Sequence, residues 1–228
     1  MYQVKFYKGD YIKRLKNANK DKAIAYVEQH FNSSASSQPN YSVVITGSNA
    51  STTSKNWGRW YARSISRSFS TKVAGDDGIL VGGWNGRGDG NLKHTKMPAI
   101  LLEPLFASNP QQADIIRSED GQLKLARILV ESIERFFPQG GLIAFSVGHK
   151  YKKSNPKDRG AALVGGGTEA GYAEKVLKKA AVMLKQIDNI SEQRTIRVMQ
   201  GDKVLFETAI DEDDDILWDS QRGVLQIP

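Results

Sequence analysis

The sequence of 228 residues contains no cysteine and only three histidines. The absence of cysteine excludes disulfide bonds, thiol nucleophiles and zinc–thiolate sites, so a metal site in this chain must use His, Asp and Glu side chains. No apolar run approaches the roughly 20 residues of a membrane-spanning helix. The N-terminal stretch MYQVKFYKGDYIKRLK is charged throughout and lacks the apolar core of a secretory signal. We therefore expect no membrane span, and no secretory signal is visible in this sequence.

Acidic residues are outnumbered by basic ones. The chain has 32 Lys and Arg against 25 Asp and Glu, a formal net charge of +7. This excess favours a polyanionic partner, and nucleic acid, an anionic membrane surface and the acidic polymers of a bacterial cell wall all qualify. The same charge also serves solubility. With 39% hydrophobic residues, the composition is that of a globular protein with one substantial core.

Segments with strand and helix periodicity alternate over residues 1–190. Strands are predicted at YQVKFYK, IAYVEQHFN, YSVVITG, MPAILLEPLF and GGLIAFSVGH. Helices are predicted over residues 10–23, 51–70, 108–118, 119–137 and 168–187. Asp10 and Thr168 are expected to cap the first and last of these helices. The alternation predicts an α/β fold, a central, mostly parallel, twisted sheet flanked by helices.

The C-terminal residues 191–228 have a different pattern. RTIRVMQGDKVLFETAI predicts a β-hairpin that turns on Gly201–Asp202, and the acidic run DEDDD follows it. We therefore divide the chain into an α/β domain of residues 1–190 and a small β extension of residues 191–228.

Three predicted strands end on residues that can bind a metal or move a proton: His30, Glu103 and His149. Glu169 stands at the start of the helix that follows the His149 loop. In α/β sheets, sites gather at the carboxyl ends of the strands. Two imidazoles and one carboxylate form an open zinc site, and a second carboxylate beside it is the usual general base.

Each of these residues also has a purely structural interpretation. A single histidine at a strand end is more often a hydrogen-bonded structural group than a ligand, and Glu169 could be a first-turn acid favoured by the helix dipole. Glu103 is harder to explain this way, because a carboxylate after the apolar run MPAILL is costly to bury unless it is paired or functional. The glycine-rich segment GWNGRGDGN is either a substrate-facing loop or a plain connector.

Four blocks of this sequence are informative when taken together. They are LIAFSVGH followed by KDRGA, the helix start GGGTEAGYAEK, the segment KRLKNANKDKAIAYVEQHFNSS, and MPAILLEPLFASNPQQADII. These blocks resemble the zinc-dependent N-acetylmuramoyl-L-alanine amidases of the amidase_3 type. The order of the blocks is rotated relative to that family. The family-start block is residues 141–187 here and the family-end block is residues 1–137. The resemblance therefore implies a circularly permuted member of the family. Pro104 and Leu105 depart from the family pattern after Glu103.

The resemblance implies a function and a set of site residues. Zn²⁺ is expected on His30, His149 and Glu169, with Glu103 as the general base on the zinc-bound water. The bond cut joins N-acetylmuramic acid to L-alanine in bacterial peptidoglycan, and no nucleic acid partner is expected. We assign substrate binding to the remaining candidates, Asn32, Arg87, His94 and Arg159.

Two other functions stay open at this point. One is a related zinc carboxypeptidase or peptidase that acts on wall peptides, for which Arg87 or Arg159 could bind a free carboxylate. The other is a non-catalytic basic module that binds cell wall or nucleic acid. For an amidase without a visible signal, we expect action at the cell wall after release by a holin or by lysis, as for a phage endolysin.

Overall fold

The computed structural model describes residues 1–191 and the segments 195–200, 203–209, 217–219 and 224–226, with side-chain surroundings up to residue 187. The chain separates into two units, Met1–Lys185 and Gln186–Pro228. The predicted boundary at residue 190 lies close to this division. Among the described residues, no helix combines the length and the apolar character that a membrane crossing requires.

Strands and helices alternate along the first unit as predicted. The strands of this unit are β1 Tyr2–Phe6, β2 Ala25–Gln29, β3 Tyr41–Thr46, β4 Lys72–Val73, β5 Ile79–Val81, β6 Gly83–Trp84, β7 Arg87–Gly88, β8 Ala99–Glu103 and β9 Gly141–Val147. The helices are α1 Tyr11–Lys20, α2 Thr52–Phe69, α3 Pro110–Arg117, α4 Glu119–Phe136 and α5 Glu169–Ser191, and a short 3-10 helix spans Asp89–Asn91.

The main sheet has the strand order β1-β9-β2-β8-β3-β4, with β5 also paired to β3. Neighbours from β1 to β8 are parallel, whereas β3 runs antiparallel to β8. All five residues of β2 and the first four of β8 are buried, as expected for central strands of a sheet that helices cover on both faces. The predicted mostly parallel α/β fold is confirmed. The strand β9, which comes after α4 in the chain, lies between β1 and β2.

Helices α2 and α4 pack together and bury their apolar faces. Ser51 and Ser118 accept hydrogen bonds from the first-turn amides of these helices, as N-caps do. Trp57 and Tyr61 of α2 are fully buried, and the indole of Trp57 donates to Ser132 Oγ at 2.9 Å. The aromatic face of α2 is therefore core.

Asp10 stands at the N-cap position of α1, but its side chain makes no capping hydrogen bond. Its Oδ1 instead accepts hydrogen bonds from the backbone N and the Oγ of Ser154. The predicted capping role of Asp10 is therefore wrong, because the loop that follows β9 competes for its carboxylate. Thr168 Oγ1 accepts from Gly171 N at 3.3 Å, as expected for the cap of α5.

The second unit contains two antiparallel strand pairs. β10 Thr195–Gln200 pairs with β11 Lys203–Ala209, and β12 Leu217–Asp219 pairs with β13 Val224–Gln226. The strands of the predicted hairpin are thus present. Its turn at Gly201–Asp202 and the acidic run 211–215 lie outside the described residues.

Candidate metal centre and cleft

The predicted site residues meet at one edge of the sheet. β2 ends directly before His30, β8 ends on Glu103, and β9 ends two residues before His149. Because β9, β2 and β8 are parallel neighbours, their carboxyl ends lie side by side. Glu169 joins them as the first residue of α5.

His30, His149 and Glu169 form a compact cluster. Oε1 of Glu169 lies 2.8 Å from Nδ1 of His30 and 3.2 Å from Nε2 of His149. One ligand atom from each residue lies within 4.8 Å of the other two. The two rings meet edge to face, with centroids 4.8 Å apart. His30 and Glu169 are buried, and His149 is partly exposed.

Backbone geometry lets these side chains approach. His149 itself has φ of 61°, a left-handed conformation that non-glycine residues rarely adopt and that clusters at functional sites. A Cβ on Gly148 would collide with the His30 ring, and one on Gly160, at φ of 69°, would collide with the Glu169 carboxylate. Two glycines therefore leave the space that the cluster occupies.

A carboxylate contacts the remaining ring nitrogen of each histidine. Nδ1 of His149 lies 3.0 Å from Oδ1 of Asp158, and Nε2 of His30 lies 2.9 Å from Oε1 of Glu28. Metal-ligating histidines usually donate their second nitrogen to such a partner. Two imidazole nitrogens oriented in this way, together with one carboxylate oxygen, are a donor set that fits an open zinc site.

The electrostatics of the cluster follow from burial and hydrogen bonding. Burial acts to raise the pKa of Glu169, but hydrogen bonds with His149 and His30 outweigh it and hold that pKa well below its usual range. Burial acts to lower the pKa of His30, but hydrogen bonds with Glu169 and Glu28 raise it well above its usual value. The cluster therefore combines an ionised carboxylate with a strong preference for positive charge beside it.

Glu103 differs from the other acidic residues at this edge. Its Oε2 is inaccessible to solvent and finds no hydrogen-bond partner among the described residues. Burial raises the pKa of Glu103 to about 7. A carboxyl group with a pKa near neutrality can both accept and release a proton, as general acid–base catalysis requires.

A cleft of about 860 Å³ joins the cluster to Glu103. Its lining includes all four residues predicted for metal binding and catalysis, together with Asn32 and Arg87. The glycine-rich segment contributes Trp84, Arg87, Gly88 and Asn91, so it faces the cleft and is more than a connector.

His94 and Arg159 were also expected to bind substrate, but neither is among the residues that line the cleft. Both are exposed. The Arg159 guanidinium donates to the backbone oxygens of Pro156 and Asp158 in its own loop. Glu28 and Asp158 had no predicted role. A charged residue inside the apolar run of β2 was a usable signal for Glu28, because buried carboxylates require partners.

Comparison with known proteins places these observations in a family. The family model described as Amidase_3, N-acetylmuramoyl-L-alanine amidase, matches residues 3–135, more than half of the chain. No curated protein matches at a significant level.

Three solved structures are among those similar to this chain. The catalytic domain of CwlV, an N-acetylmuramoyl-L-alanine amidase from Bacillus (Paenibacillus) polymyxa var. colistinus, is 27% identical, with 57% of this chain and 66% of that chain covered and a TM-score of 0.47. An N-acetylmuramoyl-L-alanine amidase from Clostridium difficile 630 is 22% identical, with 58% of this chain and 67% of that chain covered and a TM-score of 0.49.

The catalytic domain of the CD27L endolysin, which targets Clostridia difficile, is 23% identical, with 55% of this chain and 62% of that chain covered and a TM-score of 0.38. The matched part of this chain covers 66% of the CwlV domain, slightly less than two thirds of its length. On the family match over residues 3–135, the chain belongs to the Amidase_3 family of N-acetylmuramoyl-L-alanine amidases.

Proposed function

We propose that this protein is a zinc-dependent N-acetylmuramoyl-L-alanine amidase that acts at the bacterial cell wall. The bond cut is the amide between N-acetylmuramic acid and L-alanine of peptidoglycan. The observation that carries the proposal is the presence, in one cleft, of the His30–His149–Glu169 cluster and the carboxyl group of Glu103, whose buried Oε2 has no hydrogen-bond partner among the described residues. Family membership supports the same reaction class.

The residues that would hold zinc are His30 through Nδ1, His149 through Nε2 and Glu169 through Oε1, the atoms that converge in the cluster. When bound, zinc supplies a Lewis acid for the scissile carbonyl and for the attacking water. Glu28 and Asp158 hold the outer nitrogens of the two imidazoles and keep the rings in place.

Glu103 acts as the general base. In its ionised form it takes a proton from the attacking water, and it then passes that proton to the leaving amine of L-alanine. Its pKa of about 7 suits both steps. Asn32 and Arg87 line the cleft and are proposed to bind the substrate. The net charge of +7 favours association with an anionic wall.

We also propose that the chain is a circular permutation of the family order. The family match ends at residue 135, before the strand that leads to His149. That strand, β9, nevertheless lies between β1 and β2, in parallel with both. Residues from both sides of residue 135 therefore supply the cluster, as expected if the family-start block follows the family-end block.

The products released from purified peptidoglycan test the proposed reaction. With zinc-loaded protein, we expect new N-terminal alanine and no new reducing sugar. New amino groups from other positions of the wall peptide would identify a peptidase instead. Binding to the wall without release of any product would indicate a non-catalytic module. The zinc-loaded Glu103→Gln variant is the matched control for background hydrolysis.

A further inference from the structure

Glu28 is a fully buried carboxylate and the fourth of the five residues of the central strand β2. Side chains two residues apart in a strand lie on the same face of the sheet, so Glu28 shares a face with Tyr26 and His30. An ionised carboxylate in such a place is stable only if hydrogen-bond donors surround it.

Four donors from three parts of the chain meet this carboxylate. Oε1 lies 2.9 Å from Nε2 of His30 and accepts a hydrogen bond from Nδ2 of Asn91 at 2.6 Å. Oε2 accepts hydrogen bonds from the hydroxyl groups of Tyr26 and Ser146, each at 3.1 Å. Both oxygens are therefore satisfied, and the carboxylate is held in one orientation.

The donor Ser146 is itself fixed by a buried cation. Arg14 is fully buried and donates through Nη1 to Ser146 Oγ at 2.8 Å and to the Val147 carbonyl oxygen at 2.7 Å. Ser146 is also the register partner of Glu28 across the β2–β9 pair. Because Arg14 can only donate, the Ser146 hydroxyl must direct its own proton to Glu28.

We infer that Glu28 is a positioning residue, an inference that rests on the proposed zinc-dependent function. Glu28 holds the proton of His30 on Nε2 and so turns Nδ1 toward Glu169 for the metal. It also connects His30 to the cleft wall through Asn91. An ionised carboxylate only accepts hydrogen bonds. The imidazole must therefore present N–H at Nε2, which leaves the Nδ1 lone pair free for a cation.

The contact with Asn91 extends this role to the substrate side. Asn91 belongs to the 3-10 helix of the glycine-rich segment and lines the cleft. One oxygen of Glu28 thus contacts both a proposed metal ligand and the wall of the cleft. No other residue of β2 connects these two features through side-chain hydrogen bonds within the part of the chain that the structure describes.

Zinc affinity measured by competition with a chromophoric chelator tests this inference. Glu28→Gln keeps the shape but offers an amide that can turn its NH₂ toward His30. We expect it to weaken binding of Zn²⁺ alone by about 10- to 100-fold. Glu28→Asp, which retains an acceptor-only group, should recover part of that loss. Tyr26→Phe removes a partner of Oε2 only and should stay within about 3-fold of the wild type.

The tautomer of His30, that is, which ring nitrogen carries the proton, can be measured. A purely structural role of Glu28 would not determine it. In ¹⁵N spectra of the zinc-loaded wild-type protein, which has three histidines, we expect a protonated Nε2 and a metal-shifted Nδ1 for His30. A metal-shifted Nε2 would overturn the inference, even if the Glu28→Gln variant does not fold. Equal zinc affinities of a folded Glu28→Gln variant and the wild type would also overturn it.

These outcomes separate the inference from the proposed function. If the wild type binds zinc and releases alanine while Glu28→Gln matches it in zinc affinity, only the positioning role is wrong. If the wild type binds no zinc, the proposed function and the positioning role both fail.

Discussion

Nδ1 of His30 lies 2.8 Å from Oε1 of Glu169, although 139 positions separate the two residues in the sequence. A deprotonated imidazole nitrogen and a carboxylate oxygen are both acceptors, so this approach is stable only with a positive charge between or on them. Either a proton or a metal ion can supply it. Burial acts to lower the pKa of His30, but hydrogen bonds with Glu169 and Glu28 raise it, which is the direction expected if the site favours that charge.

Removal of any one of the three proposed ligands should abolish tight zinc binding. His30→Ala, His149→Ala and Glu169→Gln are each expected to lower zinc affinity by more than about 100-fold, because changes to the groups behind the ligands already cost 10- to 100-fold. Chelator competition measures this directly. His94→Ala is the matched control, since His94 is exposed and does not line the cleft. Wild-type zinc affinity in any one of the three ligand variants, or an equal loss in His94→Ala, would contradict the assignment.

Glu103→Gln should separate metal binding from catalysis. The variant keeps the ligand cluster, so its zinc affinity should stay within a few-fold of the wild type. Its rate of alanine release should fall by about 10²- to 10⁴-fold, the usual contribution of a general base. A variant that retains zinc and hydrolyses peptidoglycan at the wild-type rate would show that another group moves the proton.

The same substitution should have a pH-dependent effect on stability in the presence of a chelator. Burial raises the pKa of Glu103 from 4.5 to about 7. Between these values the folded wild type binds more protons than the unfolded chain, so its free energy of unfolding falls as the pH rises. Gln does not titrate. The stability of Glu103→Gln relative to the wild type should therefore increase from pH 4.5 to pH 8, by at most about 3 kcal/mol.

Urea unfolding at several pH values measures this difference. Comparison of the two proteins at each pH removes the contribution of the titrating groups that do not interact with Glu103. If the difference is the same at pH 4.5 and pH 8, the carboxyl group of Glu103 has an ordinary pKa, and burial does not prepare it for proton transfer.

The parts of the site that could be predicted follow from strand geometry. Carboxyl ends of parallel strands share an edge, so the positions of His30, Glu103 and His149 after apolar runs were sufficient to bring them together. The direction of β3 was not predictable in this way. Its apolar run, YSVVITG, has the same pattern in either direction, and only the pairing with β8 shows that it is antiparallel.

Side-chain partners from distant segments could not be predicted from the sequence pattern. Glu28 meets Asn91 and Ser146 only in the folded chain, so its role could not be deduced from spacing. Arg87 and Arg159 looked equivalent as basic loop residues. The difference is that Arg159 binds backbone oxygens of its own loop, whereas Arg87 lines the cleft.

This difference predicts distinct kinetic effects of the two arginines. Arg87→Ala should raise KM about 10-fold with kcat little changed, because a contact made equally in the ground state and the transition state affects binding alone. Arg159→Ala, which removes the same charge outside the cleft lining, should leave both constants within about 2-fold. Steady-state kinetics on soluble peptidoglycan fragments distinguish them. Equal effects of the two substitutions would indicate a general role of positive charge.

The proposed permutation predicts that the family order can be restored. A variant with residues 139–187 first, a flexible Gly/Ser linker, and then residues 1–138 keeps every strand pairing of the main sheet. The new ends fall at Pro138 and Gln139, which are exposed in the turn between α4 and β9, where chain breaks are best tolerated. Because loop-closure entropy grows slowly with length, several linker lengths should serve.

We expect this variant to fold cooperatively, to bind zinc within about 3-fold of the matched control, and to release alanine from peptidoglycan. The control is residues 1–187 in their present order, which contain the whole of the first unit. Chelator competition and thermal unfolding compare the two. If the control is folded and active while the reordered chain is unfolded at every linker length, the two blocks do not form an exchangeable pair and the permutation proposal is wrong.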